Sequence, residues 1–327
     1  MIDFAGKRWW ALGVSLVIFL LAVAALAVFH LKPGIEFTSG SSFTIVFNDR
    51  PVTQPELQQA MRELGHPEAR IQDAGSNEFF VRTEELEGAP PQNAPVTGPT
   101  ETQQGEIDTI MAGLKDRFGN LTRKDFSTVS GTVSTEIARN ATFAVIAASI
   151  AILLYIWFAF RHLPRPWRYG TCAVVAVLHD AFIILGLFAV LGEFRGTEVD
   201  TAFITALLTV IGFSVHDTIV VFDRIRETVA HDPYVPFEEA VNASMMETLA
   251  RSINTSLVVV LTVVSMLLIG GESIHNFLLV LLVGIISGTY SSIGIASQML
   301  VAWEKNDLGR FFRKITGRGS APAPEPA

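Results

Sequence analysis

The chain has 327 residues, 50% of them hydrophobic and 17% charged, with a formal net charge of −8 and a mean hydropathy of +0.40. That is too apolar for a water-soluble domain of this length and too polar for membrane helices alone, so both kinds of segment are expected. The acidic balance, with no lysine- or arginine-rich block, argues against a nucleic-acid partner. A single cysteine, Cys172 in an apolar run, excludes a disulfide framework and a cysteine zinc site.

Residues 1–8 form a short N-terminus carrying Lys7 and Arg8. Residues 9–30 are apolar over a spanning length, with Trp9 and Trp10 suited to the membrane interface. Ala25-Leu26-Ala27 offers a weak signal-peptidase match, but the apolar stretch is long for a signal peptide, and an uncleaved anchor is the expectation. Residues 31–140 contain no spanning segment and carry sixteen Asp/Glu against ten Lys/Arg. Within them, residues 42–47 alternate and are rich in β-formers. Thr53 and Glu56 have capping-box spacing for a helix that runs through Leu64 to Gly65. Residues 70–74 and 78–83 read as a hairpin around Gly75-Ser76-Asn77, and residues 84–103, rich in Pro, Gly, Thr and Glu, as a flexible insertion. Helical spacing returns over 106–118, and residues 125–133 read as a last strand. Strand, helix, two strands, helix, strand is the ferredoxin-like order, so a small α+β domain is expected.

Residues 141–304 hold five further spans: 141–160, 169–191, 201–222, 252–269 and 277–303. The stretch 223–246 reads as a longer polar connection with an amphipathic helix from Phe237, and 305–327 as a basic, partly disordered tail. The expected fold class is a polytopic α-helical membrane protein of six transmembrane helices with a small extracytoplasmic ferredoxin-like domain. Lys7, Arg8, Arg161, Arg165, Arg168, Arg224, Arg226 and the tail all fall on one side of these spans, and only Arg195 lies in the opposite short loops. The positive-inside rule then places both termini in the cytoplasm.

Asp217 is the residue that needs explaining, because a carboxylate within a spanning segment faces a protein interior or a water path. Gly212, Ser214, His216 and Thr218 flank it, and Arg251 opens the next span ahead of Ser252, Asn254, Thr255 and Ser256. An Asp facing an Arg keeps its charge, and withdrawal of the Arg favours protonation, which would make Asp217 and Arg251 a proton relay. The alternative is a fixed ion pair that orients two helices. His179-Asp180, deep in the third span, allows the same two readings, functional site or structural hydrogen-bonded pair. Neither a serine-nucleophile signature nor a third ligand cluster accompanies it, so neither an enzyme nor a metal site is expected. In the last span Gly284, Gly288, Ser287, Ser291 and Gly294 have the spacing of close helix packing.

The run from His216-Asp217 through Asp223-Arg224 to Glu227 closely resembles the fourth-span signature of the SecF family, membrane subunits of the bacterial protein-export machinery. The resemblance extends over most of the chain, through Gly34 to Gly40, Leu178-His179-Asp180 and Glu247 to Arg251. This chain has His216 where the family usually has Asn, and Glu36-Phe-Thr-Ser-Gly40 where the family has Asp-Phe-x-Gly-Gly. The resemblance implies half of a resistance-nodulation-division fold in the inner membrane. It implies SecD as the other half and the SecYEG channel, translocating unfolded polypeptide and membrane lipid as partners. It further implies use of the proton motive force in late export, with no cofactor. Asp217 and Arg251 match the family's coupling pair, with His216, Thr218, His179, Asp180 and Asn254 as supporting polar residues. The other functions to weigh are half of a small-molecule or lipid transporter of the same superfamily and a passive scaffold for SecD and the channel.

Overall fold

The structure is a computed structural model that describes residues 3–86, 105–161, 165–232, 234–271 and 274–305. Most of the insertion expected at 84–103, and the tail beyond residue 305, lie outside the described residues. The chain divides into two compact units, one of residues 1–30, 145–190 and 202–327 and the other of residues 31–144 and 191–201.

The second unit is built on strands β1 (Gly40–Phe47), β2 (Arg70–Gly75), β3 (Glu78–Thr83) and β4 (Leu121–Val129), with helices α3 (Gln54–Glu63) and α4 (Glu106–Phe118) between them. The sheet order β2-β3-β1-β4, antiparallel throughout, is the ferredoxin-like arrangement expected from the element order. Alternation decides which face is covered. Phe43, Ile45 and Phe47 of β1 and Phe79 and Val81 of β3 point to one side, where they bury against Leu57, Ala60 and Met61 of α3 and Ile110, Leu114 and Phe118 of α4. The capping box forms: Glu56 accepts the Thr53 backbone N–H at 2.8 Å, and this bond holds its carboxyl below the usual glutamate range. At the hairpin tip, Ser76 and Asn77 adopt positive φ, and the Asn77 side chain donates to the Phe47 and Arg50 carbonyls, tying the turn to the β1–α3 connection.

The last strand is bounded differently from expectation, running from Leu121 to Val129 rather than over 125–133. β4 ends at Val129 and helix α5 (Gly131–Ala159) begins straight after it, so residues 131–133 are helix rather than strand. Ser134 and Thr135 return their hydroxyls to the Gly131 carbonyl, which suits a helix first turn and defeats a reading from β-propensity alone. The stretch 192–200, between the third and fourth spans, belongs to this unit. Val199 makes a parallel bridge with Pro33, and Arg82 pairs with Glu198. Burial depresses the Arg82 guanidinium to about 10.

The first unit contains the apolar helices. With α5 counted, six among the described residues are long and apolar enough to span a membrane. They are α1 (Arg8–Phe29), α5, α6 (Pro166–Arg195), α7 (Thr201–His231), α8 (Phe237–Ile269) and the broken last helix. The last consists of α9 (His275–Ser291), a π turn (Ser292–Ser297) and α10 (Gln298–Glu304). α2 (Ile35–Thr38) is a single turn between α1 and β1. The polar stretch 223–246 is no separate connection. α7 continues to His231, and the amphipathic start at Phe237 runs unbroken into the fifth span, because no glycine or proline interrupts it. Arg224 pairs with Glu247 across these extensions, and Arg226 with Asp223 along α7.

Candidate functional site

The site forms where α6, α7, α8 and α9 meet inside the helical unit. α7 and α9 approach closely because α9 presents glycines to its neighbour. A β-carbon at Gly284 would sit 2.3 Å from the Val210 side chain, and one at Gly288 would sit 3.0 Å from that of Ser214. This small-residue seam brings serine hydroxyls within reach of two carboxylates that are far apart in sequence.

Asp217 on α7 is buried and accepts two hydroxyls. Ser252 of α8 donates to Oδ1 at 2.6 Å, and Ser292, first residue of the π turn, donates to Oδ2 at 2.7 Å. Asp180 on α6 is buried more deeply, at 1% exposure. Ser287 donates to its Oδ1 at 2.6 Å, Ser214 to its Oδ2 at 2.7 Å and Ser291 to the same oxygen at 2.6 Å. His179 Nδ1 lies 3.2 Å from Asp180 Oδ1, and its ring stacks on Phe19 of α1. Each carboxylate is thus held by side chains from at least two other helices, as a charge in an apolar interior requires.

Hydroxyl partners have a chemical consequence. An N–H donor such as arginine can only donate, so it favours the ionised carboxylate. A serine hydroxyl donates to a carboxylate and accepts from a carboxylic acid, so Asp217 and Asp180 can stay hydrogen-bonded in either protonation state. Neither carboxyl group therefore loses its hydrogen bonds on gaining or releasing a proton.

The expected Asp217–Arg251 ion pair is not formed. Arg251 is exposed, and its guanidinium has no ion pair or hydrogen bond among the described residues. The reason is helical geometry. Successive residues are about 100° apart, so α8 cannot turn both Ser252 and Arg251 towards α7. Asn254 and His216 are likewise on exposed faces. Thr218 is fully buried and returns its hydroxyl to the Ser214 carbonyl at 3.0 Å, so it braces α7 without touching either carboxylate. The serines carry little signal in the sequence. Ser287 and Ser291 do more than allow close packing, and Ser292 had no signal beyond falling one residue after Ser291. Among the described residues no cluster of His, Cys, Asp and Glu is arranged to hold a metal ion.

The family model described as protein export membrane protein SecD/SecF, C-terminal, matches residues 109–306. The protein translocase subunit SecF of Thermobaculum terrenum is 41% identical, over 98% of this chain and 100% of its own. The corresponding subunit of Anaerolinea thermophila is 35% identical, over 99% of each chain. The crystal structure of SecDF, a translocon-associated membrane protein from Thermus thermophilus, superposes with a TM-score of 0.78 at 31% identity. That match covers 93% of this chain but only 39% of the SecDF chain.

Proposed function

The chain belongs to the SecD/SecF family of protein-export membrane proteins, and from that premise we propose that it uses the proton motive force, together with a SecD-type partner, to drive late steps of protein export. Asp217 is the proton-carrying group, and the observation that supports this is its setting: a buried carboxylate within a spanning helix whose partners are the amphoteric hydroxyls of Ser252 and Ser292. Arg251 serves as the movable cation. It lies one residue from Ser252 on α8, so a rotation of that helix by about 100° would exchange serine for arginine beside Asp217.

A partner is called for by the exposed faces. An arginine turned out from an apolar helix is costly against lipid, so Arg251 should meet a protein or water surface in the assembly, where a partner carboxylate would suit it. The longer SecDF chain, of which this one matches 39%, favours a SecD-type half as that partner. The SecYEG channel and an unfolded polypeptide complete the proposed assembly in the inner membrane, with both termini in the cytoplasm.

The test is completion of export in membrane vesicles with and without a proton gradient. Asp217→Asn keeps size and hydrogen bonding but cannot cycle a proton. It should abolish gradient-dependent export while the protein remains folded and bound to its SecD-type partner. Normal gradient dependence from a well-expressed Asp217→Asn protein would rule out Asp217 as the coupling group and favour a passive scaffold.

A further inference from the structure

Asp180 is the most enclosed carboxylate of the helical unit, and the reading above gives it no task. A purely structural carboxylate is best served by donors that cannot accept, such as backbone N–H groups or arginine. Asp180 instead has three serine hydroxyls and a histidine. The titratable and charged groups near it are few. α6 supplies His179, α7 supplies Asp217 one turn beyond Ser214, and α8 supplies only Ser252 next to Asp217, since Arg251 is exposed. α9 contributes hydroxyls alone, and α1 contributes the Phe19 ring. The His179 Nε2 atom is buried with no hydrogen-bond partner among the described residues. A neutral imidazole donating from Nδ1 to Asp180 therefore leaves a lone pair open to a proton.

Ser291 and Ser292 connect the two carboxylates. Each has one hydroxyl hydrogen and two acceptors within reach. Ser291 lies 2.6 Å from Asp180 Oδ2 and 3.2 Å from the Gly288 carbonyl, and Ser292 lies 2.7 Å from Asp217 Oδ2 and 3.0 Å from the Thr289 carbonyl. While its carboxylate is ionised, each serine donates to it. When a proton converts the carboxylate to a carboxylic acid, the acid O–H donates to the serine oxygen and the serine hydrogen turns to its own helix carbonyl. No atom is lost and no other reactant is needed. The two serines are consecutive and stand where the helix passes from α to π hydrogen bonding at Ser292, a local geometry found mostly at functional sites. A change at one carboxylate is therefore transmitted to the backbone that holds the other.

We propose that Asp180, with His179 beside it, is a second proton-holding carboxyl group, and that the adjacent hydroxyls of Ser291 and Ser292 link its protonation to that of Asp217. This rests on Asp217 being the proton-coupling group, yet its test does not use export. The full chain, labelled with carbon-13 at the aspartate carboxyls, is reconstituted in lipid nanodiscs and titrated while infrared spectra record protonated-carboxyl bands. Two titrating bands that shift to lower frequency in deuterium oxide are expected, one lost in Asp217→Asn and the other in Asp180→Asn. Asp180→Asn should also displace the pH at which the Asp217 band grows in, and Ser291→Ala should displace both bands. A wild-type protein with no titrating band assignable to Asp180, or an Asp217 band unmoved by Asp180→Asn, would overturn the proposal. If Asp180→Asn does not fold, Ser291→Ala decides the question: unmoved bands overturn it, and displacement of both supports it. An export failure of the Asp217 reading would be recorded separately, since these bands report protonation alone.

Discussion

Asp217 and Asp180 are both satisfied by hydroxyls, and the energetic meaning of that choice is specific. A hydrogen bond to a charged group contributes about 1.5–3 kcal/mol, so two or three serines offset much of the cost of keeping a carboxylate inside the bundle without fixing its charge. Arg251 carries a different expectation, because it is exposed on α8 rather than buried against Asp217. Were it half of a static buried pair, Arg251→Ala would destabilise the fold by about 3–5 kcal/mol. With Ser252 and Ser292 already holding Asp217, Arg251→Ala should instead leave thermal unfolding of the purified protein nearly unchanged and impair gradient-dependent export. A large drop in melting temperature would return Arg251 to a structural role.

At the scale of elements, the α7–α9 seam and the turn into β1 each depend on small residues. Gly284 lies so close to Val210 that a larger side chain must push the helices apart and pull Ser287 and Ser291 from Asp180. Gly284→Leu should therefore cost about 1–3 kcal/mol, as overpacking does. A lowered unfolding temperature in detergent would register it, and an unchanged one would contradict the close approach. Before β1, Ser39 holds φ 64° and ψ 164°, a backbone region that favours glycine, and Gly40 follows at φ 132°, where an added β-carbon would lie 2.6 Å from the Thr83 carbonyl oxygen. The SecF family usually has two glycines at this turn, and this chain has one. Ser39→Gly should relieve the strain, less the entropy that glycine adds to the unfolded chain, for a net gain of about 1 kcal/mol. Urea unfolding of the separately expressed residues 35–135 would measure it. That fragment should fold alone, having a helix-covered sheet of its own.

At the scale of the whole molecule, the helices are unequally enclosed. α7 and the broken last helix are half buried, whereas α5 shows Phe143, Ile150, Leu154, Tyr155, Trp157 and Phe158 to the outside. Such faces require lipid or a second protein, which agrees with a chain that acts as part of a larger assembly. The basic residues on one side of the spans support the proposed topology, in which both termini are cytoplasmic. Reporter fusions at Gly98 should register outside and fusions at Pro164 inside. A cytoplasmic reporter at Gly98 would invert the arrangement.

The elements whose pattern is local could be read from the sequence. Six spans declare themselves by length and apolarity, the ferredoxin-like order by alternation, turn residues and the Thr53–Glu56 box, and Asp217 by being a carboxylate within a spanning run. These signals reside in neighbouring residues, so no partner is needed to see them. Tertiary structure alone decided what Asp217 and Asp180 touch, because a hydroxyl's acceptor depends on which helix faces which. Ser252 and Arg251 are adjacent in sequence yet point in different directions on α8, and rotation of that helix about its axis is set by packing. The same holds for the strap from Val199 to Pro33 and for Ser291 and Ser292, whose roles arise from the π turn and the glycine seam. A residue's chemistry is written in the chain, but the angle at which its helix presents it is settled only when the other helices pack around it.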